Sequence, residues 1–250
     1  MKARSVFVAP LFLALTLPSL AHEALAGTGY YLVPVYADEG LAGVDYRYWN
    51  AKRFGAAPVG SPEVGLSYGV NSRWTTELLG TWIQTDAGGT RLTGQGWQNE
   101  LLLTQGQYPF DLAIHTLVQR YQQRSRGMGL EIGPALQTEI GRTQLNFNVF
   151  LSRDYHGQTA NVTQLAYQWQ VKYRWKSALQ FGAQGFGEPG HWDDWASTAQ
   201  QSHRIGPALF GSLYFGAGRS QELRYETAYL IGKNGAINAK SVTLRVQYLF

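Results

Sequence analysis

The sequence predicts an all-β fold, an up-and-down antiparallel β-barrel that spans a membrane with about twelve strands, ten or fourteen being the alternatives. Three observations support this prediction. Segments of about 9–13 residues with alternating apolar and polar positions recur along the chain, connections of different length alternate between them, and an alternating run ends on a terminal aromatic residue. Strands of this length cross a bilayer at a tilt, whereas a soluble sandwich gives no reason for loop lengths to alternate.

The first residues have the pattern of a secretory signal peptide. Lys2 and Arg4 precede an apolar run over 6–20, and Ala24-Leu25-Ala26 supplies the small residues that a signal peptidase needs. We therefore expect residues 1–26 to be removed during export. No later stretch reaches the roughly 18 uncharged apolar residues of a spanning helix, which excludes a helical membrane protein.

The alternation predicts twelve strands between residues 41 and 250. Their ranges are 41–49, 62–70, 73–84, 95–105, 110–121, 127–139, 144–153, 162–173, 178–187, 203–215, 221–232 and 239–250. Five connections are predicted to be short turns, at 71–72, 106–109, 140–143, 174–177 and 216–220. The others, at 50–61, 85–94, 122–126, 154–161, 188–202 and 233–238, are on the whole longer and more polar, which is typical of outer-membrane barrels.

Composition excludes several functions. A formal net charge of +4 is too small to indicate nucleic-acid binding. The chain contains no cysteine, so disulfides, thiolate chemistry and cysteine-based zinc sites are excluded, and we expect neither a metal site nor a cofactor. Its 15 Tyr and 8 Trp suit the aromatic girdles of a membrane barrel.

The final strand carries a family resemblance. Val246, Tyr248 and Phe250 form one apolar row, and the sequence ends on the last of them. This ending resembles the C-terminal recognition strand of small bacterial outer-membrane β-barrels, which the barrel-assembly machinery reads before folding. The resemblance implies an outer-membrane location, with membrane lipid and that machinery as partners. In size and strand count the chain is also similar to twelve-stranded channels for acidic oligosaccharides or nucleosides, although it lacks their mostly basic lining.

The two rows of each predicted strand differ in chemistry. The outward rows, such as Val64, Leu66, Tyr68 and Val70, carry no charge. The inward rows hold the candidate pore-lining residues, which are Asp45, Arg47, Glu77, Glu100, Asp111, His115, Glu131, Lys172, Arg224, Glu226 and Arg245. Glutamine and asparagine side chains accompany these charges and suit hydroxyl-rich solutes, but amides also fill a wet lumen without any solute.

Two interpretations of the inward charges are open. Opposed acidic and basic walls would orient polar solutes in a transverse field. Alternatively, the charges pair with one another as a structural network. Pairing is favoured for the seam residues Asp45, Arg47, Arg224, Glu226 and Arg245, and a solvated lining is favoured for the acidic residues of strands 3 to 6.

The sequence thus predicts a channel or facilitator for small polar solutes. The alternative is a closed barrel with a structural, adhesive or export-accessory role. An outer-membrane lipid hydrolase is a minor alternative, because no His-x-Ser arrangement occurs. We therefore predict no catalytic residues.

Two further segments are ambiguous. The loop cluster His191, Trp192, Asp193, Asp194 and Trp195 either binds a cation or saccharide at the cell surface, or packs its tryptophans on other loops or at the headgroup level. Residues 27–40 have β composition, but Pro34 and the even-strand rule argue against an additional strand. They are either a periplasmic lead-in or a plug that enters the lumen.

Overall fold

The computed structural model describes residues 29–55, 57–158 and 162–250. The predicted signal peptide lies outside the described residues. The chain forms twelve strands: β1 Ala42–Arg53, β2 Val59–Asn71, β3 Trp74–Thr85, β4 Gly89–Leu102, β5 Asp111–Tyr121, β6 Met128–Ile140, β7 Thr143–Tyr155, β8 Gln164–Lys176, β9 Leu179–His191, β10 Ser202–Phe215, β11 Gln221–Asn234 and β12 Ile237–Leu249. Among these residues, no helix has the length and apolar character needed to span a bilayer.

The strands form one closed antiparallel barrel in which each pairs with its neighbours in sequence. Closure occurs between β1 and β12, where Val44 lies opposite Tyr248 and Tyr46 opposite Val246. Ala42 and Phe250 complete this seam by exchanging two backbone hydrogen bonds of 3.0 and 2.9 Å. The predicted fold class and the count of twelve strands are confirmed.

The strand bounds differ most at β4, which begins at Gly89 rather than at residue 95. Several strands run further than predicted, and the connections at 54–58, 86–88 and 235–236 are correspondingly short. The prediction of longer loops on that side is wrong at these three places. Hydrogen-bonded pairing continues through polar residues near the barrel rim, where the apolar periodicity that marks a strand has already faded.

The two faces follow the period of two. Outward side chains such as Leu66, Leu78 and Ile132 are among the exposed apolar residues, as expected for a surface that meets lipid. Inward side chains are largely buried, and they include charged and amide groups as well as Phe150 and Leu117. At the seam, Tyr248 and Phe250 stack with ring centroids 5.6 Å apart on the outward face.

We call the end of the barrel at Ala42 and Phe250 the terminal end, and the opposite end the far end. Residues 29–41, here called the luminal segment, lie inside the barrel and run from its far half to the terminal end. Tyr30 joins the buried aromatic cluster of Trp49 and Phe186, while Val35 packs near the terminal end in the cluster that contains Leu102.

The backbone of the luminal segment pairs with the backbone of β2 at Gly69. The amide of Gly40, whose φ is 75°, donates to the carbonyl of Gly69 at 2.8 Å. A Cβ added to Gly69 would lie 1.9 Å from the carbonyl oxygen of Asp38, so this contact requires glycine. The positive φ of Gly40 turns the chain from the lumen into β1.

Candidate functional site in the barrel lumen

An ion network closes the seam between β1 and β12. Asp45 accepts from Nε and Nη2 of Arg47 at 3.0 and 2.8 Å, and from the same atoms of Arg245 at 2.9 and 2.6 Å. Arg47 also donates to Glu77 of β3. The Asp45 side chain has no exposed surface, so two guanidinium groups share one fully buried carboxylate.

A second network lies on the wall formed by β4 to β6. His115 stands between two carboxylates, with Nδ1 3.3 Å from Glu100 and Nε2 3.2 Å from Glu131. Gln98 donates to the same Glu100 oxygen at 2.6 Å. The four side chains belong to neighbouring strands and all are buried.

These contacts correct the expectation of a solvated acidic lining. Glu77, Glu100 and Glu131 are 4%, 4% and 2% exposed. Each has a partner that strand order alone does not reveal: Arg47 reaches Glu77 across β2, and His115 separates the two other glutamates. Partnered carboxylates can be buried where isolated ones cannot.

The remaining candidate residues lie nearer the terminal end. Arg224 binds both carboxylate oxygens of Asp38 at 2.7 Å and also contacts Glu222 at 2.7 Å. Asp111 accepts a hydrogen bond from the hydroxyl of Tyr36. The Lys172 ammonium group lies 5.6 Å from the centroid of the Phe210 ring, and Glu226 is in register with Arg245.

Tyr31 of the luminal segment reaches side chains on opposite walls. Its ring lies 4.0 Å from the Arg47 guanidinium and 5.5 Å from that of Arg245, and its hydroxyl donates to Gln98 at 3.0 Å. Phe150 of β7 belongs to the same buried cluster. We call Tyr31 and these four partners the Tyr31 layer. The layer crosses the lumen because its members come from different sides of the barrel. Arg47 and Arg245 belong to the adjacent strands β1 and β12, whereas Gln98 belongs to β4 and Phe150 to β7.

The backbone of the luminal segment is held by inward side chains. The amide of Val33 donates to Gln168 at 3.1 Å, and its carbonyl accepts from Asn148 at 2.9 Å. The carbonyl of Leu32 accepts from Arg245 at 3.2 Å. These contacts satisfy peptide groups that would otherwise be buried without partners.

A cavity of about 320 Å³ lies between the Tyr31 layer and the terminal end. Its polar lining is rich in amides, and the lining residues include Gln137, Gln144, Asn146, Gln170, Lys172, Gln180, Arg224, Glu226 and Gln247. Gln144 donates to Gln137 and Asn146 at 3.1 and 2.7 Å. On the other side of the layer, the space beside Tyr30 and Glu188 has a volume of only about 20 Å³, which is comparable with one water molecule.

The loop that carries the predicted cluster is shorter than the predicted range of 188–202. Strand β9 continues to His191, so the connection to β10 spans 192–201. Trp192 and Trp195 are 54% and 63% exposed, so neither is packed into the protein interior. The backbone of Trp192 donates to Thr163. Within the described ranges, no group of three His, Asp or Glu side chains is arranged to hold a metal ion.

The histidine environments bear on the hydrolase alternative. Both ring nitrogens of His115 contact glutamates, whereas those of His203 contact the Tyr167 hydroxyl at 2.9 Å and the Gln201 amide oxygen at 2.7 Å. The partners of these four ring nitrogens are therefore glutamate, tyrosine and glutamine side chains.

Two buried charged residues were missed in the sequence. Glu63 and Arg204 are 6% and 3% exposed, and the Arg204 guanidinium lies 4.4 Å from the centroid of the Tyr30 ring. Their inward direction could have been predicted from the sequence. Val64 and Ile205 face outward, and strand periodicity then turns the residues that precede them, Glu63 and Arg204, inward. The contact with Tyr30 has no sequence signal, since the two residues are far apart in the chain.

Comparison with solved structures places this barrel among known architectures. The NanC porin is 15% identical over 83% of this chain and 98% of its own, with a TM-score of 0.53. An outer membrane channel from Pseudomonas putida F1 is 12% identical over 89% of this chain and 98% of its own, with a TM-score of 0.56. The chain has the fold of outer-membrane channels. The KdgM porin, solved in complex with disordered oligogalacturonate, is 10% identical over 83% of this chain and 99% of its own, with a TM-score of 0.52. Neither a family model nor a curated protein matches the sequence.

Proposed function

We propose that this protein is an outer-membrane channel or facilitator for small polar solutes. The observation that carries the proposal is the cavity of about 320 Å³ in the terminal half of the lumen. Amide side chains both donate and accept hydrogen bonds, and the charged groups beside them favour polar over apolar solutes. A small hydroxyl-rich molecule fits both the size and the chemistry of this space.

The outer-membrane location is supported by independent features. Exposed apolar side chains form the outward rows, as in a surface that meets lipid. The structural relatives described above are porins and channels. A charge on the outward face at mid-depth would cost about 2–4 kcal/mol, which explains why the outward Lys and Arg side chains, such as Lys240, lie near the rim and not in the middle of these rows.

A closed barrel is the second candidate, and the packing of the lumen favours it. The Tyr31 layer separates the cavity from the far half, where Tyr30, Trp49 and Phe186 are buried together. A permanent barrier of this kind would suit a structural, adhesive or export-accessory role. Lipid hydrolysis has less support, because His115 and His203 have other partners.

Conductance separates the two candidates. The processed protein should give discrete openings in planar bilayers, and Tyr31→Ala should increase their frequency because it removes the side chain that crosses the lumen. Openings in neither protein would contradict the channel and favour the closed barrel.

Ion selectivity then tests whether the cavity lies on the solute path. Lys172→Gln removes a cation from the cavity lining, so the reversal potential should move toward cation selectivity. Lys240→Gln is the matched control, because Lys240 is an exposed β12 residue outside that lining. Equal shifts in the two variants would show that solutes do not pass Lys172.

A further inference from the structure

The contacts of the luminal segment are buried in the middle and far half of the barrel and partly exposed to solvent near the terminal end. Tyr30, Tyr31 and Val33 are almost completely buried in the middle and far half of the barrel. Toward the terminal end the contacts open to solvent: Tyr36 is 39% exposed, and the side chains of Asp38 and Arg224 are 28% and 36% exposed. An opening motion would therefore begin at the terminal end, where water can replace the lost contacts.

Backbone pairing holds only the base of the segment. In the part of the chain that the structure describes, its backbone hydrogen bonds to the wall join Gly40 and Leu41 to Gly69, and Glu39 forms a bridge with the same glycine. Residues 30–38 are held through side chains instead. Gly40, with its positive φ, connects this side-chain-held part to the fixed strand β1.

We propose that residues 29–38 are a displaceable gate that moves about Gly40 and is latched at the terminal end. The latch consists of the Asp38–Arg224 ion pair and the hydrogen bond from Tyr36 to Asp111. Displacement withdraws Tyr31 from between the arginines and Gln98, and connects the cavity with the far half of the lumen. The inference rests on the proposed channel function, because the gate would regulate passage through that channel.

The groups left behind are suited to a hydrated lumen. Gln168 and Asn148, which bind the Val33 backbone, are amides that water can satisfy. Arg47 and Arg245 keep Asp45 as a partner when Tyr31 leaves. Opening therefore exposes polar walls, whereas the barrel seam stays paired.

Reversible cross-linking tests the gate directly. The wild-type chain has no cysteine, so Asp38→Cys/Arg224→Cys introduces a unique pair that a short bifunctional methanethiosulfonate can join. Cross-linking should abolish openings, and a reductant should restore them. The control is Glu139→Cys/Arg174→Cys, which replaces a bidentate ion pair at the same end of the barrel whose two hydrogen bonds join β6 to β8 and not to the segment. Unchanged openings after complete cross-linking of the first pair, or equal inhibition in the control, would overturn the proposal.

Weakening the latch is the complementary test. Arg224→Gln should raise the frequency of openings by up to about fivefold, the range for a partly exposed ion pair, whereas Arg174→Gln should leave it unchanged. An opening frequency in Arg224→Gln equal to that of wild type would contradict the latch.

Thiol labelling distinguishes failure of the gate from failure of the channel. Val33 has no exposed surface, so Val33→Cys should react slowly with a membrane-impermeant thiol reagent, and several-fold faster when Arg224→Gln is added. Faster labelling in silent membranes would support displacement of the segment while rejecting the channel. Equal labelling rates would reject the gate whether or not the protein conducts.

Discussion

The Asp45 network makes a quantitative prediction about stability. Asp45→Asn preserves shape but removes the negative charge that Arg47 and Arg245 share, and these arginines lie directly opposite each other across the seam. Arg47 keeps Glu77, whereas Arg245 loses the carboxylate to which it donates two hydrogen bonds. Removing one partner of a buried ion pair costs about 3–5 kcal/mol, so we expect the free energy of unfolding to fall by that amount.

The assay is urea unfolding of the protein in lipid vesicles, followed by tryptophan fluorescence. Glu139→Gln is the control, because Glu139 and Arg174 form an ion pair whose side chains are 41% and 37% exposed. Its loss should cost no more than about 1 kcal/mol. A difference of less than about 1 kcal/mol between Asp45→Asn and Glu139→Gln would refute the reasoning.

A double variant identifies the source of the cost. If Asp45→Asn destabilises because Arg245 is left as an uncompensated charge, then adding Arg245→Gln should recover part of the lost free energy. If the two substitutions merely remove independent contacts, their effects should add. Additive losses would therefore show that the charge balance of the seam is not the cause.

Three further predictions concern other parts of the barrel. Leu66→Lys places a charge in the middle of the outward row of β2 and should lower the free energy of unfolding in vesicles by about 2–4 kcal/mol, measured by the same urea assay. Gly133→Ala should reduce the yield of folded barrel, measured by heat-modifiable gel mobility, because the new Cβ would lie 2.0 Å from the Val149 carbonyl oxygen. Gly88→Ala is the control and should be tolerated better, because the nearest atom there is the Thr85 hydroxyl oxygen at 3.0 Å. Partial burial, and then the hydrogen bond to Asp111, raise the pKa of Tyr36 to about 12. Its contribution to stability should persist below about pH 10, the ordinary tyrosine value, and be lost as the pH rises toward 12. The urea assay on wild type and Tyr36→Phe at several pH values measures this contribution as the difference between their free energies of unfolding.

The barrel was predictable because its signal is local. Outward and inward side chains alternate with a period of two, so Val64 and Leu66 mark the lipid face of β2 without knowledge of any partner strand. The order of strands follows because sequence neighbours pair in an up-and-down barrel. Strand ends were less predictable, since β4 begins with Gly89 and Thr90, which are exposed and show no alternation of apolar and polar side chains.

The chemistry of the lumen was only partly predictable. Periodicity turns Glu77 and Glu100 inward, but it cannot show that Arg47 reaches across β2 or that His115 separates two carboxylates. Those contacts depend on barrel curvature and side-chain length. The position of Tyr31 depends on a segment that lacks strand periodicity, so sequence reasoning left its location open.

The luminal segment links stability to function in this barrel. Interior space in a twelve-stranded barrel must be filled by water, by side chains or by another part of the chain. In the far half the protein fills it with Tyr30, Trp49 and Phe186, while the terminal half keeps a polar cavity. If the far half were packed only by the strands, opening it would require repacking the wall itself. Because Tyr30 and Tyr31 come from a segment anchored at Gly40, the lumen can open while every strand pairing is retained.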